Sequence, residues 1–480
     1  MKLAGATFQN CQPSRRGSVL IIVLWVAFGL VSIALYFANS MSLELRAADN
    51  RVAATEADQA IAGATRYLTN IFLNLTTVGY PPDTNTYQFA SVPVGDAAFW
   101  FIGRGDSQAT TPDQPVFSLV AESSKLNLNT ATLSNLSLLP RMTPELAAAI
   151  IDWRDSDTTV TQGGAEDETY ARLKPAYKCK NGPFESIDEL RLVYGMDLDI
   201  LYGEDVNLNG VLDSNENDGD ASAPSDNRDG RLDPGILEYV TVFSREPNTK
   251  TNGSARVNVR TLSATQLNSL LQPYFEAQRI AQIAARLGLA GGGGGGGGGG
   301  RGGGGGGPGG GGTPTSTSVS PLAFFIRSGM TVDEFALVAN DITVATGSYV
   351  TGRVNVVTAS ATVLACLPGQ DANSAAQLIS YRQSNPDKLT SIAWVVEALS
   401  DNTPALQALQ SGDFITAQSY QFTADVAALG HNGRGFKRIK FVYDLAEGTP
   451  AIRYRQDLTH LGWALGKQVR DVTRTAKATP

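Results

Sequence analysis

Histidine and cysteine are scarce in this chain. Its 480 residues include two histidines, His431 and His460, and three cysteines, Cys11, Cys179 and Cys366. Neither histidine has a serine or cysteine nucleophile pattern near it, so no catalytic triad can be assembled from local motifs. The cysteines lack zinc-ligand spacing and are too few for a disulfide framework. No phosphate-binding glycine loop occurs. Basic charge is also in short supply. Lys and Arg number 38 against 46 Asp and Glu, a formal net charge of −8. An acidic chain repels a polyanion and is a poor candidate for nucleic-acid binding. These absences favour a non-enzymatic role. Cys179 and Cys366 could pair in an oxidising compartment, and the sequence leaves that open.

A long apolar run is present near the start. Residues 1–17 are polar and end in Arg15-Arg16-Gly17, and Ser18 to Phe37 then carries no charge. About twenty apolar residues suffice to span a bilayer as a helix. The basic pair before the run should stay cytoplasmic, placing the rest of the chain on the far side. A secretory signal peptide would have a shorter apolar core with a small-residue cleavage site after it. Beyond the run, Ser42 to Leu75 is Ala-rich and lacks Pro, so the helix is predicted to continue past the membrane.

This junction resembles that of the type IV pilin and pseudopilin family. The resemblance implies cleavage by a prepilin peptidase between Gly17 and Ser18. It also implies a mature helix starting at Ser18, with the transmembrane part at about 18–38. Major pilins carry Glu at the fifth mature position, and here that position is Ile22. In the family that Glu meets the amino terminus of a neighbour already assembled. A subunit without it has nothing to place against a subunit above. The K type of type II secretion shares this departure and sits at the tip.

Downstream, strand-like stretches are expected at Asp96–Arg104 and Val116–Ala121, and again at Ser419–Val426, Phe436–Tyr443 and Ala451–Gln456. Between them lies an internal repeat. Lys125-Leu-Asn-Leu-Asn-Thr-Ala131 is echoed by Arg256-Val-Asn-Val-Arg-Thr-Leu262 and Arg353-Val-Asn-Val-Val-Thr-Ala359. Helical patterns follow, from Thr143-Pro-Glu145 to Arg154 and from Leu367-Pro-Gly369 to Arg382. The middle copy retains only its opening and Thr265–Leu271. The glycine run of 291–312 reads as a flexible linker, because ordering it costs too much backbone entropy.

The sharpest local motif is Asp205 to Glu216. Set on a twelve-residue EF-hand loop, Asp205, Asn207, Asn209, Asp213 and Glu216 fall at oxygen-ligand positions. Gly210 falls at the sharp turn, and Val211 offers a carbonyl. Hard oxygens at alternate positions suit Ca²⁺. A weaker acidic run supplies a possible second set, Asn227, Asp229, Arg231 (by its carbonyl) and Asp233, so one or two ions are expected. EF-hand flanking helices are not evident, which points to a loop grafted into another fold. Asp155 and Asp157 are read as capping a helix end and bonding Arg154.

Ile150 to Asp157, Gly164 to Asp167, Tyr170 and Tyr177 to Phe184 resemble the central domain of the type II K pseudopilin. The resemblance implies an α+β fold with a long N-terminal transmembrane/pilin helix, a small antiparallel sheet and an inserted helical repeat domain of helix-hairpin-helix/SAM-like type carrying a calcium loop. The expected segments are leader 1–17, helix 18–75, pilin-like strands 76–124 and first repeat 125–202. Calcium insertion 203–238, second repeat 239–290, linker 291–320, third repeat 321–412, C-terminal strands 413–466 and tail 467–480 follow. The implied function is a pseudopilus tip subunit of the bacterial inner membrane with its bulk in the periplasm. Implied partners are the I and J minor pseudopilins, the prepilin peptidase and the inner-membrane secretion platform. The rival reading, a membrane-anchored DNA receptor, rests on the repeat's resemblance to helix-hairpin-helix modules, whose Leu-Pro-Gly hairpin is met at Leu367-Pro-Gly369, whereas the first copy has Arg141-Met142 where the glycines should be. A calcium-dependent binder of secreted substrates is a third.

Overall fold

The computed structural model describes residues 16–75, 79–104, 114–289 and 315–476. Most of the leader, the whole glycine run and residues 477–480 lie outside them. Arg16–Leu73 is one helix. Its apolar window has mean hydropathy 2.7 and none of it is buried in the fold, so by length and composition it could cross a membrane. From Ala53 onwards one face is covered: Ala53, Ala57, Ala60, Ile61, Ala64, Leu68, Ile71 and Phe72 are all buried. Their three- and four-residue spacing makes a single stripe.

That stripe packs on one antiparallel sheet. Its strands are β1 (Val92–Val94), β2 (Ala97–Ile102), β3 (Val120–Ala121), β4 (Gln421–Leu429), β5 (Lys437–Asp444) and β6 (Ala451–Asp457). The spatial order is β1-β2-β4-β5-β6, with β3 also paired to β4. Strand period two decides which residues meet the helix. Phe99 and Phe101, then Phe422, Ala424, Val426 and Ala428, then Ile439, Phe441 and Tyr443 form the core with the helix. Strands from the two ends of the sequence thus share one sheet, and everything from 122 to 420 is inserted into it.

Small residues set the helix-to-sheet distance. A Cβ at Gly430 would stand 2.2 Å from the Ala53 carbonyl oxygen, and one at Gly435 would stand 2.4 Å from it. Gly435 also has φ of +67°. Gly435→Ala should therefore cost about 1–3 kcal/mol from overpacking, with strain added. The check is a thermal melt of the detergent-solubilised chain, with Gly448→Ala as the comparison. Gly448 has a positive φ too but open space around it, so an equal loss in both variants would exclude the packing account.

The insertion has one continuous hydrophobic core running from Leu126 to Ala417. Three short parallel pairings organise it: Leu126–Asn127 with Val240–Thr241, Val257–Asn258 with Ile342–Thr343, and Val354–Asn355 with Ile415–Thr416. Each copy repeats the same side-chain bonds. Asn127, Asn258 and Asn355 each accept from the backbone N–H two residues on. Thr241, Thr343 and Thr416 do so through their hydroxyls. The first and third copies match without a gap as far as Arg154 and Arg382. Arg154 donates to the carbonyls of Leu128 and Ala131, and Arg382 to the equivalent carbonyls of Val356 and Ala359. Arg141 occupies the Gly369 position of the hairpin and takes the same left-handed conformation, φ +59° against +69°.

Several expectations change. Pairing of Ile342–Thr343 with Val257–Asn258 places Pro321–Ser328 and Val332–Ala336 inside the middle copy. That copy is fuller than its sequence suggests, and the glycine run falls within it. A pairing between strands so far apart leaves no local trace. Residues 467–476, expected as part of a tail, belong to the helix Gly466–Ala476. Buried Ala464 and Leu465 pin its start against Trp100 and Leu429 of the sheet. Cys179 and Cys366 are both buried and free.

Candidate metal centre at the sheet–insertion junction

Residues 203–235 form a loop closed at its neck. Gly203 bridges to Pro234, Glu204 N–H donates to the Asp233 carbonyl, and Gly235 N–H donates to the Tyr202 carbonyl. A Cβ at Gly203 or Gly235 would meet backbone oxygen at 2.3 Å or 2.2 Å, so both must be glycine.

Inside the neck, the motif folds around its carboxylates. Asp205 is buried, and its two oxygens accept from the N–H groups of Asn209 and Gly210, each at 2.9 Å. Leu208 and Gly210 take positive φ to make this turn. Asn207 and Asn209 both donate their side-chain amides to Asp213 Oδ2, at 2.7 and 3.1 Å. Glu216 Oε2 accepts from Asp213 N–H at 2.9 Å, which tightens the turn as a capping box. Glu216 is 1% exposed, and its Oε1 has no hydrogen-bond partner. Val211 is buried as well.

Three acids with little compensation make the loop electrostatically strained. Burial pushes the Glu216 carboxyl up to about 8, with Asp205 and Asp213 adding to the rise. Burial also raises Asp205, against the pull of Arg104. A buried carboxylate oxygen without a donor is costly. A hard divalent cation would satisfy it, so the donor set fits calcium. The three carboxylates nevertheless stand apart. Among the described residues, only Asp155, Asp157 and Glu166 bring three such oxygens within 4.8 Å of one another.

The possible second set is different. Asn227, Asp229, Arg231 and Asp233 are all exposed. They lie in successive turns in which Asn227 Oδ1 accepts from Asp229 N–H and Asp229 Oδ1 from Arg231 N–H. Gly17 and Ser18 stand at the start of the helix Arg16–Leu73. The expected bond from Arg154 to Asp155 or Asp157 is not made, because the Arg154 guanidinium turns to the repeat's backbone carbonyls instead.

Residues that sequence reading missed hold the loop on the sheet. Arg438, on β5, is fully buried. It pairs with Asp425 of β4, Nε to Oδ1 at 2.9 Å, and donates to the carbonyls of Asn207 and Leu208. Arg104 also reaches the Leu208 carbonyl, at 2.9 Å, and pairs with Glu238 at 2.6 Å. Burial opposes the Arg104 charge, but Glu238 and Asp205 outweigh it and hold the guanidinium protonated. Arg438 sits in ordinary strand alternation, so no local signal marks it. His431 serves the helix–sheet joint. His431 contacts Glu56 at 2.7 Å and Asp49 at 2.9 Å.

Residues 117–202 match the first domain of the family described as type II secretion system (T2SS), protein K. Type II secretion system protein K of Klebsiella pneumoniae is 35% identical over 94 residues, covering 20% of this chain and 26% of the relative. The protein of the same name from Pectobacterium carotovorum subsp. carotovorum is 40% identical over 68 residues, covering 14% and 21%. The chain thus matches about a quarter of the length of these curated relatives. A chain of the solved GspK-GspI-GspJ complex from the enterotoxigenic Escherichia coli type 2 secretion system aligns with 12% identity and a TM-score of 0.33, covering 88% of this chain and 98% of that one.

Proposed function

We infer, for a chain whose residues 117–202 match the first domain of type II secretion system protein K, that the whole protein is a minor pseudopilin at the tip of a periplasmic pseudopilus. The carrying observation is where that domain sits. It interrupts a sheet that packs on a long helix with an apolar, uncovered first half. The apolar half would hold the precursor in the inner membrane, with the sheet and insertion in the periplasm. Cleavage between Gly17 and Ser18 would free the helix for assembly. The insertion widens the top of the subunit, and Ile22 asks for no partner above. The role is non-enzymatic.

Calcium belongs to the same reading. Asp205, Asn207, Asn209, Asp213, Glu216 and the Val211 carbonyl would hold the ion. Its positive charge would neutralise the loop and stiffen the junction between insertion and sheet. The exposed set at 227–233 offers no comparable cradle.

The test is co-expression of the full chain with I- and J-type minor pseudopilins and a prepilin peptidase. The expected result is a mature N-terminus at Ser18 and a stable complex containing all three subunits. Failure to associate, together with salt-sensitive DNA binding lost on Gly369→Asp, would favour the DNA-receptor reading instead.

A further inference from the structure

A second group of acids lies outside the Asp205–Glu216 loop, in the first repeat. We propose that Asp155, Asp157 and Glu166 form a calcium site of their own. One ligand oxygen from each lies within 4.8 Å of the others. Oxygens bound at about 2.3–2.6 Å to one calcium ion span a similar width.

The decisive observation is Glu166. It is 3% exposed, and neither of its carboxylate oxygens has a hydrogen-bond partner. Asp155 Oδ1 is also buried without a partner. Nearby cations are engaged elsewhere. Arg154 serves the Leu128 and Ala131 carbonyls, Lys180 pairs with Glu189 at 2.7 Å, and Arg172 pairs with Glu168. The acids also stand past the C-terminal end of the helix Pro144–Arg154, where the helix dipole adds negative potential.

The surrounding loop is built to hold this arrangement. Asp152 accepts from Thr161 N–H at 3.1 Å, and a Cβ on Gly164 would stand 2.1 Å from Asp152 Oδ2. Asn181 donates to the Asp157 carbonyl at 3.1 Å and keeps its own buried Oδ1 unpartnered. Three carboxylates and a neutral oxygen are a hard-oxygen set. The dry setting of Glu166 favours calcium over magnesium, which gives up its waters reluctantly.

The experiment uses the calcium-depleted full chain in detergent. It compares wild type, Glu216→Gln, Glu166→Gln and the double variant by calcorimetric titration with Ca²⁺. A second readout is terbium emission sensitised by Trp153, which lies two residues before Asp155 and packs on Tyr170 at 5.3 Å. Glu216→Gln should keep one calcium and the terbium signal. Adding Glu166→Gln should weaken the remaining binding by at least about tenfold and remove the signal. Glu166→Gln should melt no lower than wild type without calcium, since it deletes an unpaired buried charge, and should lose part of the calcium-induced rise. Asp157→Asn, at an exposed position, repeats the test without touching the core. Binding and emission that survive both substitutions would overturn the site, as would loss of all binding in Glu216→Gln alone. Either outcome is independent of whether the chain assembles with other pseudopilins.

Discussion

Chelating calcium should lower the stability of the purified chain, and the loss should deepen as pH rises from about 5 to 8. This is the result expected from Glu216. Its carboxyl is raised from 4.5 to about 8 in the folded chain, by burial first and by Asp205 and Asp213 second. Below pH 4.5 it is protonated folded and unfolded alike, and contributes nothing. Between the two values the folded form keeps a proton that the unfolded form releases. Stability therefore falls with rising pH over that window, by linkage. The full loss is on the order of 3 kcal/mol once solvent screening is allowed for. Asp205 is raised in the same direction. Bound calcium would replace the proton, so the loaded chain should lack this slope. Thermal melts at several pH values, with calcium or with chelator, read the difference directly, and other titrating groups cancel in the comparison. Glu216→Gln should flatten the chelated curve and lose the calcium response of this loop. Parallel curves in both conditions would rule out a metal at Asp205–Glu216.

Arg438→Met should be the most damaging single change at the junction. It strands Asp425, which is 5% exposed, frees the Asn207 carbonyl and leaves the Leu208 carbonyl to Arg104 alone. Breaking a buried pair from one side costs about 3–5 kcal/mol. Pairing Arg438→Met with Asp425→Leu should recover much of that, because no unpaired charge remains. Calcium affinity at Asp205–Glu216 should stay weakened in both, since the loop has lost its anchor to the sheet. Urea unfolding and calcium titration of the two variants check this. A cost below about 1 kcal/mol for Arg438→Met would mean that the pair is not bearing the junction.

The legible parts of this protein are periodic or local. The apolar run, the alternation in β2, β4 and β5, and the Asp205–Glu216 spacing are each visible within a dozen or two residues. So are the openings of the three repeats, because each needs the same Asn to close the same turn. Arg141 shows the limit of such reading. An arginine is a poor residue for a left-handed position, yet Arg141 takes the conformation of Gly369 in the matching place of the third copy.

What the sequence determined by itself was the membrane-length helix, the strands and the acidic loop, since local periodicity and ligand spacing dictate those. What only the tertiary structure decided was the far face of the sheet. Arg438, Asp425, Asp444 and Glu122 read as solvent-facing polar positions of alternating strands or their flanks. In the fold the inserted repeats cover them. Arg438 reaches the acidic loop, Arg245 meets Asp444, and Thr241 donates to Glu122. A strand's alternation separates two faces but does not say what covers the second. That depends on where a long insertion lands, and no residue nearby in sequence records it.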